Sequence, residues 1–212
     1  MVVMEEQLTP TAPAPTAAPA ATASEGNPRR LTMAELEANL DWLRQSPATD
    51  GRLELIVRRP AVDEREVLAE GQLTTTDGLV GDSWRLRLAG TGGDVPLDPD
   101  RQLTLINARL ARLVAGHPDR RQLAGDQLFL DLDLSVENAP SGTQLRIGGA
   151  VVEITEPPHR GCDKFVARFG KDAMLFVNSP TGKALRLRGA NAKVVLDGTV
   201  HVGDVVSKYR RP

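Results

Sequence analysis

The sequence predicts a mainly β domain, a closed or nearly closed barrel with a few short helices. Three observations lead there. From Gly51 onward the chain runs as short stretches rich in valine, isoleucine and leucine, each cut by glycine or aspartate before it reaches helical length. Gly-Asp recurs beside these stretches, at Gly81-Asp82, Gly125-Asp126 and Gly203-Asp204, where glycine tolerates positive φ and aspartate caps backbone amides. Helical periodicity is confined to a few short segments. Many short strands leave edges exposed unless the sheet closes on itself, hence the barrel.

Taken in order, residues 1–28 form an alanine-, proline- and threonine-rich tail with too little apolar surface to offset the entropy of ordering, and are expected to be disordered. The domain occupies 29–212. Thr32 and Glu35 have capping-box spacing, and Leu36, Leu40 and Leu43 follow at helical intervals until Pro47. Strands are expected over Leu53 to Val57, Val67 to Leu73, Trp84 to Leu88, Leu128 to Val136, Gln144 to Thr155, Lys193 to Leu196 and Val200 to Lys208. A helix is expected from about Leu105 to Ala115, with Gly116 as its stop. Another follows Cys162, with Phe165 and Phe169 at i and i+4 before Gly170, and a third covers Asp172 to Val177. Arginine alternates with leucine from Trp84 to Leu88 and from Leu185 to Arg188; as strands, each run would put two guanidinium groups on one face.

Composition narrows the function. With 212 residues, 41% of them hydrophobic, the chain can bury a core, and a net charge of −2 with no basic block gives no phosphate-backbone footprint. Aromatic residues make up only 3%, too few for base-stacking platforms, so nucleic acid is not an expected partner. A single cysteine allows no intrachain disulfide, no CxxC redox pair and no cysteine-based structural zinc site. The first residues carry early acid and no signal-peptide core, and no apolar run reaches membrane-spanning length. These features predict a cytoplasmic protein without a membrane partner.

That single cysteine, Cys162, lies where a β-type run stops at Pro157-Pro158 and a helical segment begins. His159, Arg160 and Lys164 flank it, and cationic neighbours with a helix start favour the thiolate, which is both a nucleophile and a soft metal ligand. A buried cysteine acting as a small hydrophobe is the competing reading. Arg186 and Arg188 become anion ligands if they converge on Cys162, since arginine suits bidentate recognition of phosphate and carboxylate.

In order, Gly78 to Asp82, Arg101 to Ile106, Gly125 to Leu128, Leu145 to Gly148, the turn from Pro157 to Cys162, Arg188 to Ala192 and Val202 to Asp204 resemble a MOSC domain, the module named for its place at the C-terminus of molybdenum cofactor sulfurases. The resemblance covers a core of about 52–208. Ser83-Trp84 replaces the family's charged-aromatic pair, and Asp126-Gln127-Leu128 stands where Glu-Asn-Leu is frequent. The resemblance implies a β-barrel that binds the molybdenum cofactor (molybdopterin), with Cys162 as ligand to molybdenum or carrier of its sulfur. Stand-alone members imply a molybdenum-dependent oxidoreductase that reduces N-hydroxylated small molecules, with electrons from a separate reductase. In that reading His159 donates a proton or orients the thiolate, and Arg188, Arg186 and Lys164 face the cofactor phosphate. Asp82, Gln127 and Asn178 hydrogen-bond the pterin or substrate. Pyridoxal phosphate is not expected in this chain. The alternative is a non-catalytic carrier that accepts sulfur from a donor protein as a persulfide on Cys162, or holds the cofactor for delivery. A barrel with an inert cysteine is the third reading.

Overall fold

The structure is a computed structural model that describes residues 29–85 and 98–210. Eleven strands appear among them: β1 (Gly51–Arg58), β2 (Glu66–Leu68), β3 (Glu70–Thr74), β4 (Gly78–Leu79), β5 (Leu103–Asn107), β6 (Leu128–Asp131), β7 (Gln144–Ile147), β8 (Ala150–Ile154), β9 (Ala190–Leu196), β10 (Gly198–His201) and β11 (Val205–Lys208). The larger sheet runs β11-β7-β8-β9-β5-β6-β1-β2, and β11 also pairs with β1 through Gly51 and Val206, so seven strands close into a barrel. All ring pairings are antiparallel except β5–β6, whose crossover carries helix α3 (Ala108–Ala115). A smaller sheet, β10-β3-β4, lies beside the ring.

The barrel buries both faces. Leu53, Leu105, Leu128, Leu130, Leu145 and Val152 fill the interior, while Val57, Ile106 and Phe129 point outward into a second core under the helices. Strands buried on two sides read as continuous apolar runs rather than alternating ones, as in Leu128-Phe129-Leu130. In β1 the register shifts between Leu53 and Leu55 against β6. That irregularity sends Leu53 inward and Leu55 outward although they are two residues apart.

The outer core is roofed by α1 (Met33–Ala38), α2 (Leu40–Arg44), α4 (Asp163–Phe169), α5 (Lys171–Asn178) and α6 (Pro180–Ala184). Phe165, Phe169 and Phe176 are buried there, each contributing on the order of 1.5–3 kcal/mol by removal from water. The capping box of α1 is present: Thr32 accepts from the Glu35 amide, and Glu35 accepts from the Thr32 amide. The three Gly-Asp glycines all have positive φ, 82°, 87° and 98°.

Several expectations are corrected. The first helix divides at Asn39 into α1 and α2. Leu105 to Asn107 belong to β5, and the helix starts only at Ala108, because the Asn107 side chain caps the amides of Arg109 and Leu110. The run from Leu128 stops as a strand at Asp131. Leu185 to Arg188 form a turn after α6, with Arg186 at φ 45°, so the two guanidinium groups share no strand face. Trp84 and Arg85 are helical rather than extended, and the remainder of that run lies outside the described residues, as does the 1–28 tail.

Candidate active site

The site is built where β8 leaves the barrel. After Ile154 the chain crosses Pro157-Pro158, whose first carbonyl accepts from Asn191 of β9 at 2.9 Å. Asn178, the last residue of α5, then clamps the turn: its Oδ1 accepts from the Gly161 amide at 3.1 Å. Gly161 packs tightly here: an added Cβ would lie 3.2 Å from both Asn178 Nδ2 and Met174 Cγ, so these side chains would have to give by a few tenths of an ångström. The clamp leaves Cys162 as the extended N-cap of α4, its carbonyl accepting from the Phe165 and Val166 amides and its thiol exposed.

Behind the turn is a buried ionic group. Arg188 Nη1 donates to both oxygens of Asp126, at 3.0 and 2.8 Å, and Nη2 donates to the Ala124 carbonyl at 3.2 Å. Its guanidinium lies 5.0 Å from the Phe165 ring centroid, one turn into the helix that Cys162 caps. Arg188 Nε is buried with no hydrogen-bond partner among the described residues. His159 places Nδ1 3.3 Å from Asp126 Oδ1 outside hydrogen-bond geometry. Burial lowers its pKa to about 4; Asp126 opposes this, while Arg188, Arg59 and Arg101 add to it. His159 is therefore neutral near pH 7, an acceptor rather than a stored proton.

A cavity of about 300 Å³ opens beside this group, lined by His159, Arg160, Asn178, Lys183, Arg186 and Arg188 among others. Its charged lining is four cations against Glu156. Arg186 reaches it from the turn after α6 and anchors on the Ala139 carbonyl. The cavity thus joins four of the residues picked from sequence, His159, Asn178, Arg186 and Arg188, together with Arg160 and Lys183, which the sequence reading did not assign to the site. A larger cavity of about 540 Å³ holds none of them; its lining mixes apolar residues such as Leu134 and Leu187 with Arg44, Asn107, Asp133, Ser135 and Glu137, and volume alone does not make it the reactive site.

The other picked residues lie elsewhere. Cys162 is two residues beyond Arg160 and does not line the cavity. Lys164 is exposed and pairs with Asp63 at 3.2 Å. Asp82 is fully buried in a fork with Arg59, at 2.8 and 2.9 Å, and also accepts from the amides of Arg59 and Trp84. Gln127 is buried against the Thr104 amide and hydroxyl and the Gln102 carbonyl. Asp126 and Arg59 went unassigned in the sequence reading, although the repeated Gly-Asp dipeptide marks Asp82 and Asp126, and each of these acids takes a buried arginine.

Among the described residues no group of three or more His, Cys, Asp or Glu side chains could hold a metal ion. A metal bound here would use Cys162 as one ligand and bring others with it. The cationic cavity and the unpartnered Arg188 Nε fit the anionic end of such a group. No helix among the described residues is long and apolar enough to cross a membrane.

Comparison with known proteins bears on this arrangement. A protein described as a hypothetical protein in its crystal structure is 22% identical, with 77% of this chain and 69% of that one covered at a TM-score of 0.51. YiiM from Escherichia coli is 23% identical, over 76% of this chain and 71% of its own, at a TM-score of 0.48. The YuaD protein from Bacillus subtilis is 15% identical, over 76% and 97%, at 0.48. No curated protein matches the sequence. The MOSC domain model matches residues 92–207, more than half of the 212, and that family is associated in general with the molybdenum cofactor. By that match the chain belongs to the MOSC domain family.

Proposed function

We propose that the protein binds the molybdenum cofactor at the cavity beside Cys162 and reduces N-hydroxylated small molecules, with electrons from a separate reductase. The observation that carries this reading is a cavity lined by four cationic residues, one of which, Arg160, stands two residues before an exposed cysteine. The bound cofactor would supply two-electron removal of an oxygen atom. The chain supplies position and field. Cys162 offers a thiolate ligand held by the Asn178 clamp, and Arg188, Arg186, Arg160 and Lys183 offer donors to an anionic group. His159, neutral and backed by Asp126, accepts a hydrogen bond from a donor entering the cavity.

A second reading is supported by the position of Cys162 outside the cavity lining: a thiol free to meet another protein suits a sulfur carrier. One experiment separates the two. Protein from a host that makes the cofactor is assayed for molybdenum, for pterin and for persulfide on Cys162. The reductase reading expects metal and pterin in near-equal amounts, both lost in Cys162→Ala, and turnover of an amidoxime with an artificial reductant. The carrier reading expects sulfur on Cys162 and no turnover. Because Cys162 is exposed and its side chain makes no cap hydrogen bond to α4, Cys162→Ala should leave stability within about 0.5 kcal/mol of the parent. Equal metal content in parent and variant would remove Cys162 as a ligand.

A further inference from the structure

The larger cavity has no part in the proposed reaction, yet its volume of about 540 Å³ falls in the range of roughly 300–1,000 Å³ over which proteins hold small molecules. It opens beyond the ends of the parallel strands β5 and β6, between α2, the β6–β7 loop and the turn after α6. Backbone bonds tie these walls together. The Asp133 amide donates to the Pro47 carbonyl at 2.8 Å, the Val136 amide to the Ala184 carbonyl at 2.9 Å, and within the loop the Ala139 amide to the Ser135 carbonyl at 2.8 Å. The cavity is therefore built into the fold. The leucine–arginine alternation after α6 partitions it from the cofactor cavity: Leu185 and Leu187 line the larger one, Arg186 and Arg188 the smaller, and among the described residues Val136 alone lines both.

Its polarity changes with depth. Leu43, Leu134 and Leu187 are buried and make an apolar floor, Asp133 is half-buried, and Glu137 is exposed at the rim. Neither carboxylate has a cationic partner among the described residues; Asp133 Oδ1 accepts only from the Ser135 amide, at 2.9 Å. Arg44, the cation of the lining, pairs at 3.1 Å with Asp41, three residues earlier on the same helix. Asn107 is spent: its Nδ2 donates to Ser46 and to the Leu132 carbonyl, and its Oδ1 accepts from the amides of Arg109 and Leu110. Ser135 is not. Only 6% exposed, its hydroxyl accepts from the Asn138 amide at 3.1 Å, and among the described residues no donor reaches its second lone pair. Apart from Arg44 at the rim, the unspent side-chain capacity of the lining is thus acceptor capacity.

We propose that this cavity binds a small primary amine as its ammonium ion, with an apolar body on Leu43, Leu134 and Leu187 and the charged end against Asp133, Glu137 and the Ser135 hydroxyl. An ammonium group brings three donors and one positive charge, which match what the lining leaves open. A carboxylate or phosphate ligand would instead meet two like charges. A neutral apolar ligand would cover the floor and leave the acceptors as they are. Because the two cavities share only Val136, the site stands whether or not the reductase reading holds.

The test is a titration of the ¹⁵N-labelled full chain with benzylamine, benzyl alcohol and phenylacetate, at one ionic strength set with sodium chloride and followed by backbone amide resonances. Leu43, Ser135 and Leu187, which line this cavity and not the other, should shift saturably with benzylamine. Benzyl alcohol should bind about tenfold more weakly, and phenylacetate should give no saturable shift. Asp133→Asn keeps an oxygen for the Ser135 amide, and should weaken benzylamine about tenfold while leaving benzyl alcohol unchanged. Glu137→Gln, at an exposed position where folding is not at stake, should weaken benzylamine about threefold. Equal binding of benzylamine and benzyl alcohol would reveal an apolar pocket that does not read charge, and saturable binding of phenylacetate would give the rim to Arg44. Either result overturns the site, as does benzylamine binding that both variants leave unaltered, or an absence of shifts at Leu43, Ser135 and Leu187.

Discussion

Two buried arginine–aspartate pairs follow two Gly-Asp turns, and they differ in what they leave unfinished. In the Arg59–Asp82 pair every guanidinium nitrogen has a partner: Nε and Nη2 donate to Asp82 and Nη1 to the Gly125 carbonyl, and the carboxylate also takes two backbone amides. Arg188 and Asp126 are equally buried but open: among the described residues Nε has no partner, His159 faces the carboxylate without bonding it, and a cavity lies alongside. The same local motif therefore makes a structural lock in one place and a site in the other. Incompleteness, rather than burial or charge, distinguishes them. The two are coupled in sequence, since Arg59 holds the carbonyl of Gly125 and Asp126 follows it.

The largest effect should come from breaking the lock. Asp82→Ala leaves Arg59 charged and buried without its counter-ion and strips two amides of their acceptor, at a cost of about 3–5 kcal/mol in urea unfolding. Replacing both partners with apolar residues, Arg59→Met with Asp82→Leu, should cost less than Asp82→Ala alone. A double variant as unstable as the single would show that the backbone bonds to Asp82, rather than the ion pair, dominate.

Next is the pH response of the open pair. His159 has a folded pKa of about 4 against an ordinary value of 6.5, so the unfolded chain takes up a proton that the folded chain refuses. Stability contributed by keeping His159 neutral is complete above pH 6.5 and is lost as pH falls toward 4, by about 3 kcal/mol at most. His159→Gln should flatten the stability profile over that window while leaving its carboxylate-driven part below pH 4. Parallel profiles for parent and variant would mean that the imidazole is solvated.

Legibility followed the range of the interactions. The barrel and its strands were readable because a run such as Leu128-Phe129-Leu130 must bury both faces, and the capping box at Thr32 and the glycine stop at Gly116 are local chemistry. The start of α3 was misplaced because Asn107 is simultaneously the end of a strand and a cap. Leu185 to Arg188 misled because its leucine–arginine alternation matches a strand, while the chain turns there to place Leu187 in the core and Arg188 beneath the cavity. The cavity itself was half visible. Cys162, His159 and the arginines stood out by type, but no spacing reveals that Asp82 would be consumed by Arg59, 23 residues away, or that Asp126 would lie beneath His159. Long-range pairing decides which charged groups are used up in holding the fold, and pairing is not periodic.

The smallest of these three effects on stability is also the sharpest test of the contrast. Arg188→Lys keeps the positive charge beside Asp126 but loses the second donor, to Ala124, and the planar group over Phe165. With one charge-assisted contact preserved, the loss should be about 1–2 kcal/mol. Arg59→Lys loses a fork to Asp82 and the bond to Gly125 at once, so it should cost more. Cofactor content should reverse that order. Arg188→Lys should retain less molybdenum and pterin per folded molecule than Arg59→Lys, because Arg188 lines the cavity and its Nε has no partner among the described residues, whereas every guanidinium nitrogen of Arg59 has one. If the two variants retain equal cofactor, or if Arg59→Lys retains less once corrected for folded fraction, the open pair is no more a ligand site than the closed one, and the unpartnered Nε is a packing defect.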